Sequence, residues 1–223
     1  MASSRNEYNM IWLVTATPFE VDMSYFVNRY GSRIVCICTG VGVPSTLYRL
    51  QQQWYRAVQK PSLIVHAGIA GVYEDLYSLG TVVQIHEDTF ADLGAEDSTG
   101  NWLSLNELGL DTWDTPPFVN GWLCNTHTHL APTLGGVRAI TVNTVSGTAD
   151  TIGARWKRFG ATLETMETAG LAYFCLSEGV PYLSVRGISN RVEPRNRDNW
   201  KMREAIGNLH TELVRLIDSL VGY

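Results

Sequence analysis

Residues 62–71 read SLIVHAGIAG, an apolar run without polar alternation that closes on Gly68 and Gly71. A strand that is apolar on both faces belongs inside a sheet covered on both sides, which is the habit of parallel sheets. The glycines after it read as a turn, Gly68-Ile69-Ala70-Gly71, where a backbone can approach a ligand closely. Working outward, β-branched apolar runs bounded by Gly or Pro predict further strands over 10–15, 33–39, 81–86, 136–145 and 182–188. The spacing between them predicts helices over 45–58, 149–159, 164–177 and 198–220. The first opens with Pro44-Ser45, and the last keeps Met202, Ala205, Ile206, Leu209, Leu213, Leu216 and Ile217 on one face. Strand–helix alternation predicts an α/β fold, a three-layer sandwich with a central mixed, mostly parallel sheet flanked by helices. With no repeat and no low-complexity linker, the 223 residues read as one domain over 1–223. Residues 101–133, rich in Trp, Pro and Asn, predict an irregular excursion that covers a site or a subunit interface.

Composition excludes several classes. The net charge is −5 with 17% charged residues, and no basic face is evident, so a nucleic-acid partner is not expected. Arg186, Arg191, Arg195, Arg197 and Arg203 cluster late but are interleaved with Glu193, Asp198 and Glu204. No apolar stretch approaches the roughly 20 residues that span a bilayer, and the start, MASSRNEYNM, lacks the apolar core of a signal peptide. No membrane association is expected. Cys36, Cys38, Cys124 and Cys175 lack the spacing of a zinc site or a disulfide framework, which predicts reduced thiols and a cytoplasmic protein. His127 and His129 form the only His pair, with no third ligand placed beside them, so no metal is predicted. A dinucleotide fingerprint needs a third glycine where Gly40-Val41-Gly42 is followed by Ser45, so a nicotinamide site is discarded.

Open α/β sheets place ligands at strand ends. The segments there are 15–22, 39–44, 67–71 and 186–197, with Met166-Glu167 as a fifth. Each residue has two readings. Glu20 is either a helix-start carboxylate favoured by the macrodipole or a catalytic acid–base. Glu167, on a largely apolar predicted helix, either lies on an exposed stripe or binds something, because an unpaired buried charge is costly. Arg186 is an ion-pair partner or a site residue, and Asn190 a turn residue or a ligand contact.

In chain order these segments resemble the nucleoside phosphorylase/nucleosidase superfamily. ATPFEV over 16–21 is similar to the A-x-x-x-E-V that carries the water-activating Glu of methylthioadenosine/adenosylhomocysteine nucleosidases. Gly68–Gly71 resembles their G-S-A-G, and Ser146-Gly147 the S-G that opens the base loop. Met166-Glu167 resembles the M-E that grips the ribose hydroxyls, and RGISN over 186–190 the R-A-I-S-D whose last residue handles the purine. HEDTFADLGAED over 86–97 and ISNRVEPRNRDNW over 188–200 are closer to the futalosine hydrolase subfamily of menaquinone biosynthesis.

The resemblance implies a nucleoside phosphorylase-like fold and a cofactor-free N-glycosyl hydrolase that acts on a small-molecule nucleoside as a homodimer or larger homo-oligomer. It implies Glu20 as the base that activates water, Asn190 at the leaving purine and Arg186 positioning that water and tuning Glu20. Gly68, Ile69, Ala70, Gly71, Met166 and Glu167 would bind the nucleoside. Thr148 and Asp150 are expected at the purine, although loop polarity alone explains them too. Phe90 and Trp200 are expected to wall the 5′-chain pocket, the alternative being plain core, and Asp92 serves the subfamily loop or a subunit contact. Two departures from the adenosine-type pattern matter. Ile69 replaces a Ser, so a polar contact is lost. Asn190 replaces an Asp, and an amide can donate to N7 or O6 where a carboxylate would oppose the 6-oxo group. The alternatives are a phosphorylase of 6-oxopurine nucleosides, an adenine-releasing nucleosidase, and a non-catalytic nucleoside-binding protein.

Overall fold

A computed structural model describes residues 8–222, apart from 74, 76, 112 and 113. In chain order the strands and α-helices are β1 Ile11–Thr15, α1 Met23–Tyr30, β2 Ile34–Cys38, α2 Val43–Arg56, β3 Leu63–Val72, β4 Val82–Asp88, β5 Gly94–Glu96, β6 Trp102–Ser104, β7 Leu123–Cys124, β8 Gly135–Thr141, α3 Ala149–Phe159, β9 Leu163–Thr165, α4 Thr168–Glu178, β10 Tyr182–Arg191 and α5 Met202–Val221. The expected mixed α/β sandwich is present. Alternation along β1 shows why: Leu13 faces a core built with Phe26 and Tyr30 of α1 and Leu209, Leu213 and Ile217 of α5. Its neighbours Trp12 and Val14 face the opposite core, with Leu50 of α2 and Leu171 and Cys175 of α4.

The sheet does more than the sandwich reading anticipates. β3 pairs with β10 along nearly its whole length. On its other edge it pairs with β1 from Leu63 to His66 and with β9 at Gly71 and Val72. β9 continues to β8, β8 to β4, and β4 back to β10, so five strands close into a ring with β1 and β2 as a side wing. Ala70, Val72, Val83, Ile85, Val137, Leu163 and Ile188 fill the ring.

Three expectations are corrected. Gly68–Gly71 is not a turn: it continues β3, held by its pairing with β10. The helix expected over 164–177 begins only at Thr168, because Leu163–Thr165 is recruited as β9 between β3 and β8. The strand expected over 136–145 stops at Thr141. Helix α1 was not anticipated; it buries only Phe26 and Tyr30, too few positions for a periodic signal, and is started by Asp22, whose side chain accepts the Tyr25 N–H. The 101–133 excursion carries β6, β7 and a short 3₁₀ turn, with positions 112 and 113 outside the described residues.

Helix α5 lies directly on Gly187 of β10, where a Cβ would stand 2.6 Å from the Ala205 carbonyl oxygen. Gly187→Ala must therefore push helix backbone away from the sheet. The expected cost is about 1–3 kcal/mol, read as a melting temperature several degrees lower in a thermal denaturation scan.

Candidate active site

Between the end of its pairing with β1 and the start of its pairing with β9, strand β3 has an open edge. The Glu20 carboxylate stands in that gap: Oε1 accepts the Ile69 N–H at 3.2 Å. The turn after β1 aims it, since Oε2 accepts from Thr15 Oγ1 at 3.1 Å, the Thr17 N–H at 2.8 Å and Thr17 Oγ1 at 3.0 Å. Gly68 makes the approach possible, because a Cβ there would lie 2.9 Å from Oε1. The glycine thus makes room for a side chain of the protein itself.

Arg186, the partner of Gly68 on β10, is 1% exposed. Its Nη1 donates to the carbonyls of His66 and Val185 at 3.1 and 2.9 Å. Nη2 donates to Thr168 Oγ1 at 2.9 Å and lies 2.8–2.9 Å from the His66 ring nitrogens. Burial pulls the Arg186 pKa down, and the charges of Glu167, Glu20 and Asp88 oppose that shift. Burial also drives His66 well below the usual imidazole range, with Arg186 adding to it, so the ring is neutral. Glu167 does not sit on a helix face but at the junction of β9 and α4, in the N-cap position. Its Oε1 accepts the Gly42 N–H at 2.8 Å. Burial raises its pKa; the Gly42 N–H and Arg186 pull it back, and Glu20 raises it further. Two carboxyl groups therefore share the field of one buried guanidinium.

That junction is anchored by residues the sequence reading missed. Thr141 Oγ1 accepts the Ala169 N–H at 2.8 Å and lies 3.1 Å from both carboxyl oxygens of Asp88. Burial pushes Asp88 up to about 8 against its bonds from Thr141 and Thr89. A buried acid inside a β-branched network leaves no periodic trace in a sequence.

Asn190 lies four residues beyond Arg186 on β10, beside Gly71, after a bulge between Ile188 and Asn190 that re-aims the chain. A Cβ at Gly71 would stand 3.1 Å from Asn190 Nδ2. Asn190 Oδ1 accepts from Ser189 Oγ at 2.8 Å, and Nδ2 donates to the Arg191 carbonyl at 2.8 Å. A carbonyl can only accept, so this pair of bonds sets which way the amide faces. Gly68 and Gly71 are separated by about 10 Å of strand rise, and the carboxylate approaches the first while the amide approaches the second. Asn190, Gly71, Ser146, Glu164 and Trp200 line a cavity of about 80 Å³.

Residues 12–220 match the phosphorylase superfamily. The chain is 35% identical over 173 residues to the futalosine hydrolase of Streptomyces coelicolor, covering 72% of this chain and 67% of that one. It is 30% identical over 199 residues to the futalosine hydrolase of Thermus thermophilus, covering 84% and 82%. The chain belongs to the phosphorylase superfamily and, within it, to the futalosine hydrolases. The fold is shared with a 5′-methylthioadenosine/S-adenosylhomocysteine nucleosidase from Neisseria meningitidis in complex with methylthio-immucillin-A, at TM-score 0.76 and 15% identity over 95% of this chain and 100% of that one. It is shared equally with the futalosine hydrolase of Helicobacter pylori, at TM-score 0.75 and 14% identity over 98% and 100%.

The remaining expected residues of this futalosine hydrolase family member divide. Ile69 is half-buried with its N–H on Glu20, and Met166 is half-buried and precedes Glu167, whereas the Ala70 methyl packs inside the strand ring. Thr148 and Asp150 are exposed on the first turn of α3, where Thr148 caps the helix by accepting the Thr151 N–H. Phe90 and Trp200 do not wall one pocket. Trp200 lines the Asn190 cavity under Arg195 and Arg197, 5.5 and 5.7 Å from its ring. Phe90 lines a separate cavity of about 470 Å³ with Val43, Leu47, Phe118 and Tyr173, partly walled by the 101–133 excursion. Asp92 ties its loop to Asn143 through bonds of 2.6 and 3.0 Å. His127 and His129 lie with ring centres 6.2 Å apart, and among the described residues no cluster of three metal-ligating side chains forms.

Because the atom that Gly68→Ala would strike is the end of a flexible side chain, the variant should fold with a stability change under about 1 kcal/mol. The Glu20 carboxylate, however, must leave its place on Ile69. The expected result is about a 100-fold fall in kcat/KM with an unchanged circular dichroism spectrum.

Proposed function

We propose that this protein hydrolyses the N-glycosidic bond of futalosine, releasing hypoxanthine and dehypoxanthinyl futalosine. One observation carries the reading: a carboxylate and an amide, each admitted by a glycine, approach the same strand at Gly68 and Gly71 in a chain that belongs to the futalosine hydrolases. As a member of that family it is an N-glycosyl hydrolase. Breaking the bond builds positive charge on the ribose and negative charge on the purine. Asn190 answers the second. One of its amide hydrogens is spent on the Arg191 carbonyl, and the other is available to N7 or O6 of the base. Glu20, oriented by four donors, takes a proton from the attacking water. Glu167 binds the ribose hydroxyls through the oxygen not held by Gly42.

Water is favoured over phosphate as the nucleophile. Arg186 is the buried cation of the site, and the N–H groups of both its terminal nitrogens are already given to His66, Val185 and Thr168. Its contribution is a positive charge beside the Glu20 and Glu167 carboxyl groups, which opposes the rise that burial gives the Glu167 pKa. We further propose a homodimer or larger assembly in the cytoplasm. The outward Phe19, Val41, Tyr48 and Tyr55, between 51% and 82% exposed, support the assembly.

The test is a panel of purine nucleosides with free base detected as product, run with and without phosphate. Hypoxanthine should leave futalosine at the same rate in both, and strict dependence on phosphate would reject hydrolysis. Glu20→Gln should cut kcat by about 100- to 10,000-fold while calorimetric ligand affinity stays within a few-fold; retained turnover would assign the base elsewhere.

A further inference from the structure

The cavity beside Asn190 is also lined by a buried carboxylate, Glu164, that the mechanism above does not use. Glu164 of β9 and Asn190 of β10 are the direct partners of Gly71 from its two sides. Residues paired across neighbouring strands turn their side chains to the same face, and Gly71 contributes none. The result is a slot two strand spacings wide, about 10 Å, with a carboxylate on one wall, an amide on the other and a glycine floor. Both walls line the same cavity of about 80 Å³.

We propose that Glu164 is a specificity-determining residue: its Oε1 accepts the N1–H of a 6-oxopurine while Asn190 donates to the neighbouring O6 or N7. The inference rests on the reading that Asn190 faces the leaving base. Glu164 is 6% exposed and firmly placed. Its Oε2 accepts from Ser146 Oγ at 2.6 Å, Tyr73 Oη at 2.5 Å and Arg155 Nη1 at 3.3 Å. Among the described residues its Oε1 accepts only the Ser146 N–H, at 2.8 Å. A carboxylate oxygen has two lone pairs, so Oε1 retains capacity for one further donor. Hypoxanthine presents a donor at N1 beside an acceptor at O6. Adenine reverses both, with a lone pair at N1 and an amino group at C6. A carboxylate facing N1 therefore attracts the first base and opposes a lone pair of the second, and Asn190 Nδ2 discriminates in the same sense.

The experiment has two arms. In the first, wild-type protein is titrated calorimetrically with hypoxanthine, with 1-deazahypoxanthine, which carries C–H in place of N1–H, and with adenine. Hypoxanthine should bind about 10- to 100-fold tighter than the deaza base; equal affinities overturn the proposal without any variant having to fold. In the second, Glu164→Gln is compared with wild type on futalosine and on its 6-amino counterpart. The variant should lose about 10- to 100-fold in kcat/KM on futalosine and little on the 6-amino substrate, whereas an equal loss on both overturns it. If wild type releases no hypoxanthine from futalosine, the parent reading has failed. If release occurs and the deaza base binds as well as hypoxanthine, only the role of Glu164 has failed.

Discussion

Strand β3 satisfies three partners with two edges, and the site depends on how it does so. Its inner edge is committed to β10, while its outer edge passes from β1 to β9. At the changeover the backbone N–H of Ile69 has no strand opposite it and is satisfied by Glu20. A buried N–H left unpaired is costly, so the carboxylate and the gap stabilise one another. The same changeover brings Glu164 and Asn190 to opposite sides of Gly71. A residue with a side chain at position 68 or 71 would fill the space that those polar groups occupy.

Burying Arg186 among backbone carbonyls carries a desolvation cost that only nearby negative charge offsets. Glu20, Glu167 and Asp88 supply it, and the arrangement links structure to chemistry. Removing the guanidinium would take away one of the influences that pull the Glu167 pKa back, leaving burial and the charge of Glu20 to raise it. The Thr141–Asp88 network behind α4 holds the junction from which both Glu167 and the Arg186 partner Thr168 project.

Much of this was legible beforehand where a local signal existed. The β1 and β2 runs, the amphipathic face of α5 and the mixed α/β plan follow from periodicity, because side chains on regular elements repeat with their geometry. Glu20, Arg186 and Asn190 stand out as candidates because each follows or ends an apolar run, and Glu167 because it is a charge in a largely apolar segment. Glu164 falls inside a predicted helix, since nothing local reveals that Leu163–Thr165 will be captured as a strand. Phe90 and Trp200 were grouped by aromatic character alone, and the chain carries them to different cavities.

By itself the sequence determined which segments are apolar enough for a covered sheet, which carboxylates and amides lie at strand ends, and that an amide, Asn190, stands where the resembling nucleosidases carry an acid. Only the tertiary structure decided that the strands close into a ring, that the glycines admit the protein's own side chains, and that Glu164 and Asn190 share one slot. The reason is physical. Local periodicity reports which face of an element is buried, but strand closure and cross-strand register are set by partners distant along the chain, and those partners decide which polar groups meet.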